Sequence, residues 1–374
     1  MSYGTNVAQE AHDLLVALAR IPAPSHEELD RAWFIREWLI TQGVHARVDN
    51  ALNVICTCAT TQFEELAVFA AHTDVVFPDR KVLPLSEKDG RIWAPGVGDD
   101  TASLVCLLLA YRELVRRIEN GSLAPRRGIV MAANSCEEGL GNLDGIKALF
   151  SRIANRTSTF ISLDCYAPFI VTEPVGSHRW RLVCTTPGGH SYSNFGSPNA
   201  IQQMSEFIGD FYALRRPDEK LVTVNVGHIE GGTTVNSIAQ RSEALIEYRS
   251  TSEECLETMR GRLEELVARR TAGSIRFELE LLGIRPGMGP VPADAQERLV
   301  ATCEDAVKAT IGSAPRRNSG STDSNVPLSL GIPAATVGVI RGGGAHTREE
   351  WVEVSSLAPG VDCALELMER IVCA

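Results

Sequence analysis

The stretch Leu66-Ala-Val-Phe-Ala-Ala-His72-Thr-Asp74 is an unbroken apolar run that ends in a histidine and an aspartate. The run predicts a buried strand, and the polar residues mark its carboxyl end. Open α/β sheets bind ligands beyond the carboxyl ends of their strands, so His72 and Asp74 lie where a site is expected. Because one residue separates them, the Asp74 carboxylate can orient the His72 ring while the other ring nitrogen binds a ligand.

Predicted strands and helices alternate on both sides of this run. Helical spacing predicts two helices between Val7 and Gly43, separated by the turn Pro22-Ala-Pro24-Ser. The other predicted elements are helices from Ala102 to Arg117, Leu143 to Arg152, Ala293 to Ile311 and Leu357 to Ile371, and strands from Gly128 to Ala133, Phe160 to Leu163 and Ala334 to Val339. This order is typical of an α/β domain with a mainly parallel sheet flanked by helices.

The pattern changes in the middle of the chain. Segments of alternating polarity near Trp180 and Leu221 surround predicted helices from Ala200 to Leu214 and from Glu253 to Ala272. We therefore predict a discontinuous domain of residues 1–176 and 285–374, with a smaller α+β domain of residues 177–284 inserted into it.

The composition restricts the classes of binding partner that this chain is expected to have. The chain has 374 residues, 44% of them hydrophobic, and a formal net charge of −11. This charge repels phosphate backbones and anionic lipid surfaces, so neither nucleic acid nor a membrane is expected as a partner. The N-terminal residues show no secretory signal, and the expected location is the cytoplasm.

Two adjacent acids, Asp99 and Asp100, lie in a glycine-rich turn at the start of the long apolar helix. Helix capping accounts for one of these acids but does not require two. A carboxylate that places one oxygen on each of two cations holds them about 3.5–4 Å apart, the separation found in two-metal hydrolases. The pair therefore indicates a candidate bridging ligand.

A second pair, Glu137 and Glu138, follows another predicted strand and directly precedes Gly139. Two acids in a turn are commonly solvated surface residues, and for this motif alone that interpretation stays open. In a metal-dependent hydrolase the two glutamates have different roles. One glutamate binds metal, and its neighbour accepts a proton from the attacking water and passes it to the leaving amine.

Two further strand ends complete the set. Asp164 follows the strand that ends at Leu163, and His346 follows the glycine run Gly342–Gly344. Each is ordinary by itself, since a lone histidine in a glycine-rich loop is usually a surface residue. Together, the histidines and carboxylates at these strand ends supply enough ligands for two divalent ions at near-tetrahedral coordination.

With these motifs in order over nearly the whole chain, the sequence resembles the M20 co-catalytic metallopeptidases, most closely their peptidase T-like branch of di- and tripeptidases. The motifs that match are His72-Thr-Asp74, Gly98-Asp99-Asp100, Glu137-Glu138-Gly139, Asp164, His346, Gly189-His190, Gly231-Gly232 with Asn236, and Tyr248-Arg249. One departure from the family pattern and one choice of residue bear on the subfamily. Thr101 stands where the family often has lysine, and Asp at position 164 is similar to the peptidase T-like and dipeptidase branches.

The resemblance implies a role for each metal-site residue. Asp99 would bridge two ions, with zinc as the expected metal and cobalt or manganese as alternatives. His72 and Asp164 would bind one ion, and Glu138 and His346 the other. Glu137 would be the general base and Asp74 the orienter of His72. The Asp99–Asp100 peptide bond is typically cis in the family.

The resemblance also assigns the inserted domain as a lid and dimerisation domain of a homodimer. His190 would reach the partner's active site and stabilise the oxyanion of the tetrahedral intermediate. Asn236 and Arg249 would orient the substrate. Arg317 and the loop glycines Gly343 and Gly344 are weaker candidates for holding a substrate carboxylate, with a structural role in loops as the equal alternative.

The functional hypothesis is a hydrolase that cleaves the peptide bond of a di- or tripeptide with a water bridging the two ions and Glu137 as the base. An N-acyl-amino-acid amidohydrolase with the same site is the first alternative, and an inactive relative that serves as a binding protein is the second. A nucleotide-binding protein is disfavoured, because neither glycine-rich segment extends to a full phosphate-binding fingerprint.

Overall fold

The computed structural model describes residues 6–374, which divide into two compact units. The first unit extends to Pro174 and resumes with Pro290–Ala374, and the second unit is Val175–Gly289. The predicted inserted domain, residues 177–284, falls within the second unit. Residues 1–5 of the predicted domain lie outside the described residues.

The first unit begins with alternating helices and strands, as the apolar pattern predicts. Its helices are α1 (Asn6–Ala19), α2 (Leu29–Thr41), α3 (Ser103–Glu119) and α4 (Asp144–Ile153). Its strands are β1 (Ala46–Val48), β2 (Val54–Cys58), β3 (Leu66–His72), β4 (Ser86–Lys88), β5 (Arg91–Trp93), β6 (Gly128–Asn134), β7 (Thr157–Leu163) and β8 (Phe169–Pro174). An irregular helical turn, Val97–Ala102, leads directly into α3.

The second unit contains two helices and a set of mostly longer strands. The helices are α5 (Ala200–Ala213) and α6 (Glu253–Arg270), and the strands are β9 (Gly176–Thr185), β10 (Gly189–His190), β11 (Val222–Gly231), β12 (Ser237–Ile238), β13 (Arg241–Ser250) and β14 (Arg276–Arg285). The first unit then resumes with helices α7 (Ala293–Ile311), α8 (Asn325–Ser329) and α9 (Leu357–Cys373) and strands β15 (Arg316–Gly320), β16 (Ala334–Val337), β17 (Gly342–Gly343) and β18 (Trp351–Glu353).

The central sheet of the first unit has the strand order β1-β2-β6-β3-β7-β16-β8-β15. The pairs β6–β3, β3–β7, β7–β16 and β8–β15 are parallel, and the others are antiparallel. The predicted mainly parallel α/β sheet is thus confirmed. In its register His72 lies beside Asn134, and Val337 lies beside Leu163. The segments that follow these strands therefore start from one edge of the sheet.

Helices cover both faces of this sheet. All seven residues of β3 are buried, and Phe69 belongs to a core that also contains buried residues of α1, α3 and α9. Neighbouring strand residues point to opposite faces. Ile161 joins the same core, whereas Phe160 packs against Phe150 of α4 with ring centroids 5.5 Å apart. Each fully buried aliphatic or aromatic side chain contributes about 1.5–3 kcal/mol to the free energy of unfolding.

The second unit is an α+β fold with its own core. Its antiparallel sheet has the order β11-β13-β9-β14, and the short strands β10 and β12 form a separate two-stranded ribbon. Along β13 every second residue is buried, which is the pattern of a sheet with one face on a core. Helices α5 and α6 supply the opposite side of that core through Phe207 and Leu263. Over residues 6–374, no helix combines the length and apolar character needed to cross a membrane.

Candidate metal centre

The carboxyl edge of the central sheet brings together the predicted ligands of the first unit. His72 ends β3, Asp164 directly follows β7, and Glu137 and Glu138 follow β6 after a short turn. Asp99 lies in the turn before α3, and His346 lies between β17 and β18. These six residues come from five separate segments, and parallel pairing of the strands places their ends at a common edge.

Two of the groups of donor atoms in the cluster share one carboxylate, that of Asp99. Donor atoms of His72, Asp99 and Asp164 all lie within 4.8 Å of one another. Those of Asp99, Glu138 and His346 satisfy the same limit. His72 Nε2 is 3.1 Å from Asp99 Oδ1, and His346 Nε2 is 3.2 Å from Asp99 Oδ2. Each oxygen of Asp99 therefore faces a different histidine, as a bridging carboxylate requires.

The Asp74 carboxylate is fully buried and positions several parts of the cluster. Its Oδ1 accepts the main-chain N–H of Glu137 at 2.9 Å, and its Oδ2 accepts that of Glu138 at 2.9 Å and the Ser25 hydroxyl at 2.6 Å. Asp74 thus holds the turn that carries both glutamates.

The same residue fixes the His72 ring. His72 Nδ1 is 3.0 Å from the Asp74 main-chain oxygen and 3.4 Å from its Oδ1. Both are acceptors, so the hydrogen of the neutral ring is held on Nδ1 and the lone pair of Nε2 faces Asp99. The sequence predicted the carboxylate as the orienting group, and the structure adds the closer main-chain oxygen.

Electrostatics in the cluster favour a bound cation. Burial, together with the charge of Asp99, raises the pKa of Asp164 to about 7. Contacts with Asp99 and Glu138 raise the pKa of His346 to about 11. Carboxylates packed this closely with little access to water resist simultaneous ionisation unless positive charge is present. Imidazole and carboxylate donors in this number fit two divalent transition-metal ions.

Glu350 is a residue of this region that the sequence analysis did not identify. It is fully buried, and its Oε1 accepts main-chain N–H groups from Gly98 at 3.0 Å and Asp99 at 2.7 Å. Its Oε2 accepts the N–H of Gly96 at 2.7 Å, and the Tyr166 hydroxyl donates to Oε1 at 2.8 Å. This carboxylate therefore holds the backbone that presents Asp99. Its only sequence signal is an acid four residues after His346.

Two glycines allow Tyr166 to lie against this loop. A Cβ added at Gly98 would lie 2.6 Å from Tyr166 Cε1, and one at Gly342 would lie 2.5 Å from the same atom. Both distances are shorter than van der Waals contact, so a larger residue would displace the ring. The Asp99–Asp100 peptide bond in this loop is cis, as the resemblance implies.

A buried cation, Arg31, lies behind the cluster. Its guanidinium donates to the main-chain oxygens of Thr73 at 2.9 Å and Ile21 at 2.5 Å. Burial lowers the pKa of Arg31 to about 10, while the charges of Asp74 and Glu28 raise it. Glu28 accepts the main-chain N–H of Cys136 at 3.0 Å, next to the glutamate pair. Neither residue has a sequence signal beyond its place in α2 or directly before it.

The remaining predicted residues have separate surroundings. His190, Asn236 and Arg249 belong to the second unit, where His190 and Asn236 are exposed and Arg249 pairs with Glu247 at 2.9 Å. Gly343 packs on the Trp351 ring, and Gly344 adopts a left-handed φ of 79°.

Arg317 pairs with two glutamates of α7 and is not a free cation at the cluster. It forms ion pairs with Glu297 and Glu304 of α7, at 2.7 Å in each case. These two carboxylates already occupy its guanidinium, and the contacts assign Arg317 to the attachment of β15 to α7.

We expect Glu350→Gln to weaken divalent-metal binding by about 10–100-fold, the usual effect of losing a group that supports metal ligands. The amide keeps one acceptor oxygen, but its NH₂ group faces main-chain N–H groups whose hydrogen bonds the second carboxylate oxygen accepts. Metal affinity measured by competition with a chromogenic chelator tests this. Glu349→Gln, at the exposed neighbouring position, is the control. Equal affinities for the two variants would contradict the positioning role of Glu350.

Comparison with known proteins finds solved structures with the same fold. Aminopeptidase PepT from Bacillus cereus ATCC 10987 has a TM-score of 0.74 with 22% identity, over 97% of this chain and 98% of that chain. A tripeptidase from Staphylococcus aureus subsp. aureus Mu50 has a TM-score of 0.75 with 21% identity, over 98% of each chain. The YxeP protein of Bacillus subtilis, a dinuclear metal-binding peptidase from the M20 family, has a TM-score of 0.69 with 14% identity, over 98% and 99%.

At these identities the likenesses show a shared fold, and they extend over both units. The family is shown by a separate match. The model described as Peptidase family M20/M25/M40 matches residues 68–370, which include every predicted metal ligand. This chain belongs to peptidase family M20/M25/M40.

Proposed function

We propose that this protein uses two divalent ions to hydrolyse the peptide bond of a di- or tripeptide, and that these ions are zinc. The observation that carries the proposal is the pair of donor groups that share Asp99. His72 and Asp164 would hold one ion, Glu138 and His346 the other, and Asp99 both. All five residues are imidazole or carboxylate donors, the ligands that zinc, cobalt and manganese accept.

Glu137 is proposed as the general base. Its side chain is buried, and one of its carboxylate oxygens lies within 4.8 Å of donor atoms of His72 and Glu138. When bound, the two ions would polarise the scissile carbonyl and lower the pKa of the attacking water. Glu137 would accept the proton of that water and return it to the leaving nitrogen. The hydrogen bond from its main-chain N–H to Asp74 supports this placement.

We also propose a homodimer in which His190 acts on the partner's active site. His190 Nδ1 accepts the main-chain N–H of Tyr192 at 3.2 Å, so its Nε2 carries the hydrogen in the neutral ring and can donate to an oxyanion. Three large side chains near the β10–β12 ribbon, Tyr192, Phe195 and Val235, are at least 86% exposed. An interface through this ribbon would remove them from water.

Asn236 and Arg249 remain proposed substrate-orienting residues, and Gly343 and Gly344 remain proposed contacts for a substrate carboxylate. Asn236 supports the ribbon, since its main-chain oxygen accepts the N–H of Ser191 at 3.0 Å. Arg249 would have to release Glu247 to bind a carboxylate. Arg317 is left out because its two glutamate partners account for it.

A substrate panel tests the reaction. Metal-reconstituted protein should cleave a dipeptide or a tripeptide with a free amino group faster than an N-acetyl amino acid, and chelation should abolish cleavage. Liquid chromatography of the products and metal analysis provide the measurement. Preferred cleavage of the N-acetyl amino acid would instead support the amidohydrolase alternative. Metal-loaded protein that cleaves nothing in the panel would contradict the proposed peptidase.

Replacement of the base separates chemistry from metal binding. We expect Glu137→Gln to lower kcat by about 100-fold or more, because the amide cannot accept the proton of the attacking water. The metal content should stay at two ions per chain, as measured by inductively coupled plasma mass spectrometry. Glu349→Gln again provides the exposed control. A variant at position 137 with normal kcat would overturn the assignment of the base.

Mixing two inactive variants tests whether His190 acts in the partner. Each of His190→Ala and Glu137→Gln should be inactive alone. After exchange of subunits, half of the dimers are mixed and each has one intact site, so activity should return to about a quarter of the wild-type value. If His190 acts within its own chain, every mixed site keeps one defect and no activity returns. Sedimentation velocity establishes the dimer in parallel.

A further inference from the structure

The second unit contains a separate group of metal-type donors. His178 is the third residue of β9, and Glu253 and Glu257 lie one turn apart at the start of α6. One donor atom from each of these three residues lies within 4.8 Å of the other two. All three belong to the unit Val175–Gly289, so the group is independent of the dinuclear centre described above.

His178 has an unpartnered nitrogen aimed into this group. The residue is fully buried, and its Nδ1 pairs with the Tyr248 hydroxyl at 2.8 Å. Its Nε2 is buried without a hydrogen-bond partner among residues 6–374. The nearest carboxylate oxygen, Glu257 Oε1, is 3.8 Å away, which is too long for a hydrogen bond. Buried polar atoms without partners are rare in folded proteins, and each one requires an explanation.

We propose that His178 Nε2, Glu253 and Glu257 bind a divalent transition-metal ion of the zinc class. Bonds of about 2.0–2.2 Å in a tetrahedral site place ligand atoms about 3.4 Å apart. The separation of 3.8 Å between His178 and Glu257 exceeds this by a few tenths of an ångström. Glu257 is 53% exposed, so a small rotation of its side chain closes the gap.

The surroundings of His178 suit a metal ligand. The Tyr248 hydroxyl can accept from Nδ1–H of His178, and in that tautomer the lone pair is on Nε2, where it can bind a metal. Burial lowers the pKa of His178 and outweighs the nearby Glu257, which raises it, and Arg260 lowers it further. The N–H of Gly287 holds Glu253 Oε2 at 2.6 Å and limits the motion of that carboxylate.

Arg260 is the cation that competes for Glu257. Its Nη1 is 3.9 Å from Glu257 Oε2, whereas its Nε donates to Glu264 at 3.1 Å. The closer pairing with Glu264 leaves Glu257 available to an ion. Because His178 is on the sheet and both acids are on α6, a bound ion would fasten α6 to β9 and stabilise the second unit against unfolding.

The test uses the full chain with the dinuclear centre removed by Asp99→Asn and His346→Ala. Titration with Co²⁺, followed by its visible absorption, should show one ion per chain in this background. Glu257→Gln should weaken that binding by about tenfold or more, as expected for a group on which a metal site depends. Glu265→Gln is the control, since Glu265 is exposed on the same helix and is not one of the three proposed ligands.

Thermal unfolding provides a second measurement on the same proteins. Co²⁺ should raise the unfolding temperature of the Glu265→Gln protein by more than that of the Glu257→Gln protein. If Asp99→Asn and His346→Ala impair folding, the two variants are made in the otherwise wild-type chain. The binding of a third Co²⁺ ion is then compared between them. Absence of a Co²⁺ site outside the dinuclear centre, or equal Co²⁺ affinity in the two variants, would overturn the proposal.

Discussion

The buried Asp74 carboxylate is the contact on which the candidate site depends. It accepts the main-chain N–H groups of Glu137 and Glu138 and the hydroxyl of Ser25, and it lies beside the His72 ring. A fully buried carboxylate is costly unless its oxygens are satisfied, and these donors satisfy both. One residue therefore joins the end of β3 to the turn after β6. Both strands can bring their ligands to the edge of the sheet, but Asp74 sets the direction in which those ligands point.

A second buried carboxylate does the same for the bridging ligand. Glu350 gathers three main-chain N–H groups of the loop from Gly96 to Asp99 and the hydroxyl of Tyr166. Burial, together with the charge of Asp99, raises the pKa of Glu350 to about 7. Negative charge is thus concentrated around Asp99 in a region with little water. Such an arrangement is favourable when cations are bound and unfavourable without them, which connects the local hydrogen bonding to the proposed chemistry.

Much of the fold follows from local sequence patterns. The short unbroken apolar run in β3 predicts a buried strand, and the longer apolar segment in α3 predicts a buried helix, because their lengths suit the two types of element. Strands β8 and β15 were not predicted. β8 continues directly from the turn after β7, and β15, Arg316–Gly320, is a polar edge strand whose residues are mostly exposed. The small sheet formed by β4, β5, β17 and β18 was missed as well, because strands of two or three residues are too short to show a period.

The sequence by itself determined which residue types stand at the strand ends, and so the chemistry of the candidate ligands His72, Asp99 and His346. Only the tertiary structure decided which groups hold them. Glu350 is more than 250 residues from Gly96 along the chain, yet it accepts the main-chain N–H of that glycine. Arg317 was a candidate for substrate binding, and the structure shows it paired with two glutamates. Periodicity and motif spacing report on near neighbours in the chain, whereas hydrogen bonds between distant segments exist only after the sheet has brought those segments together.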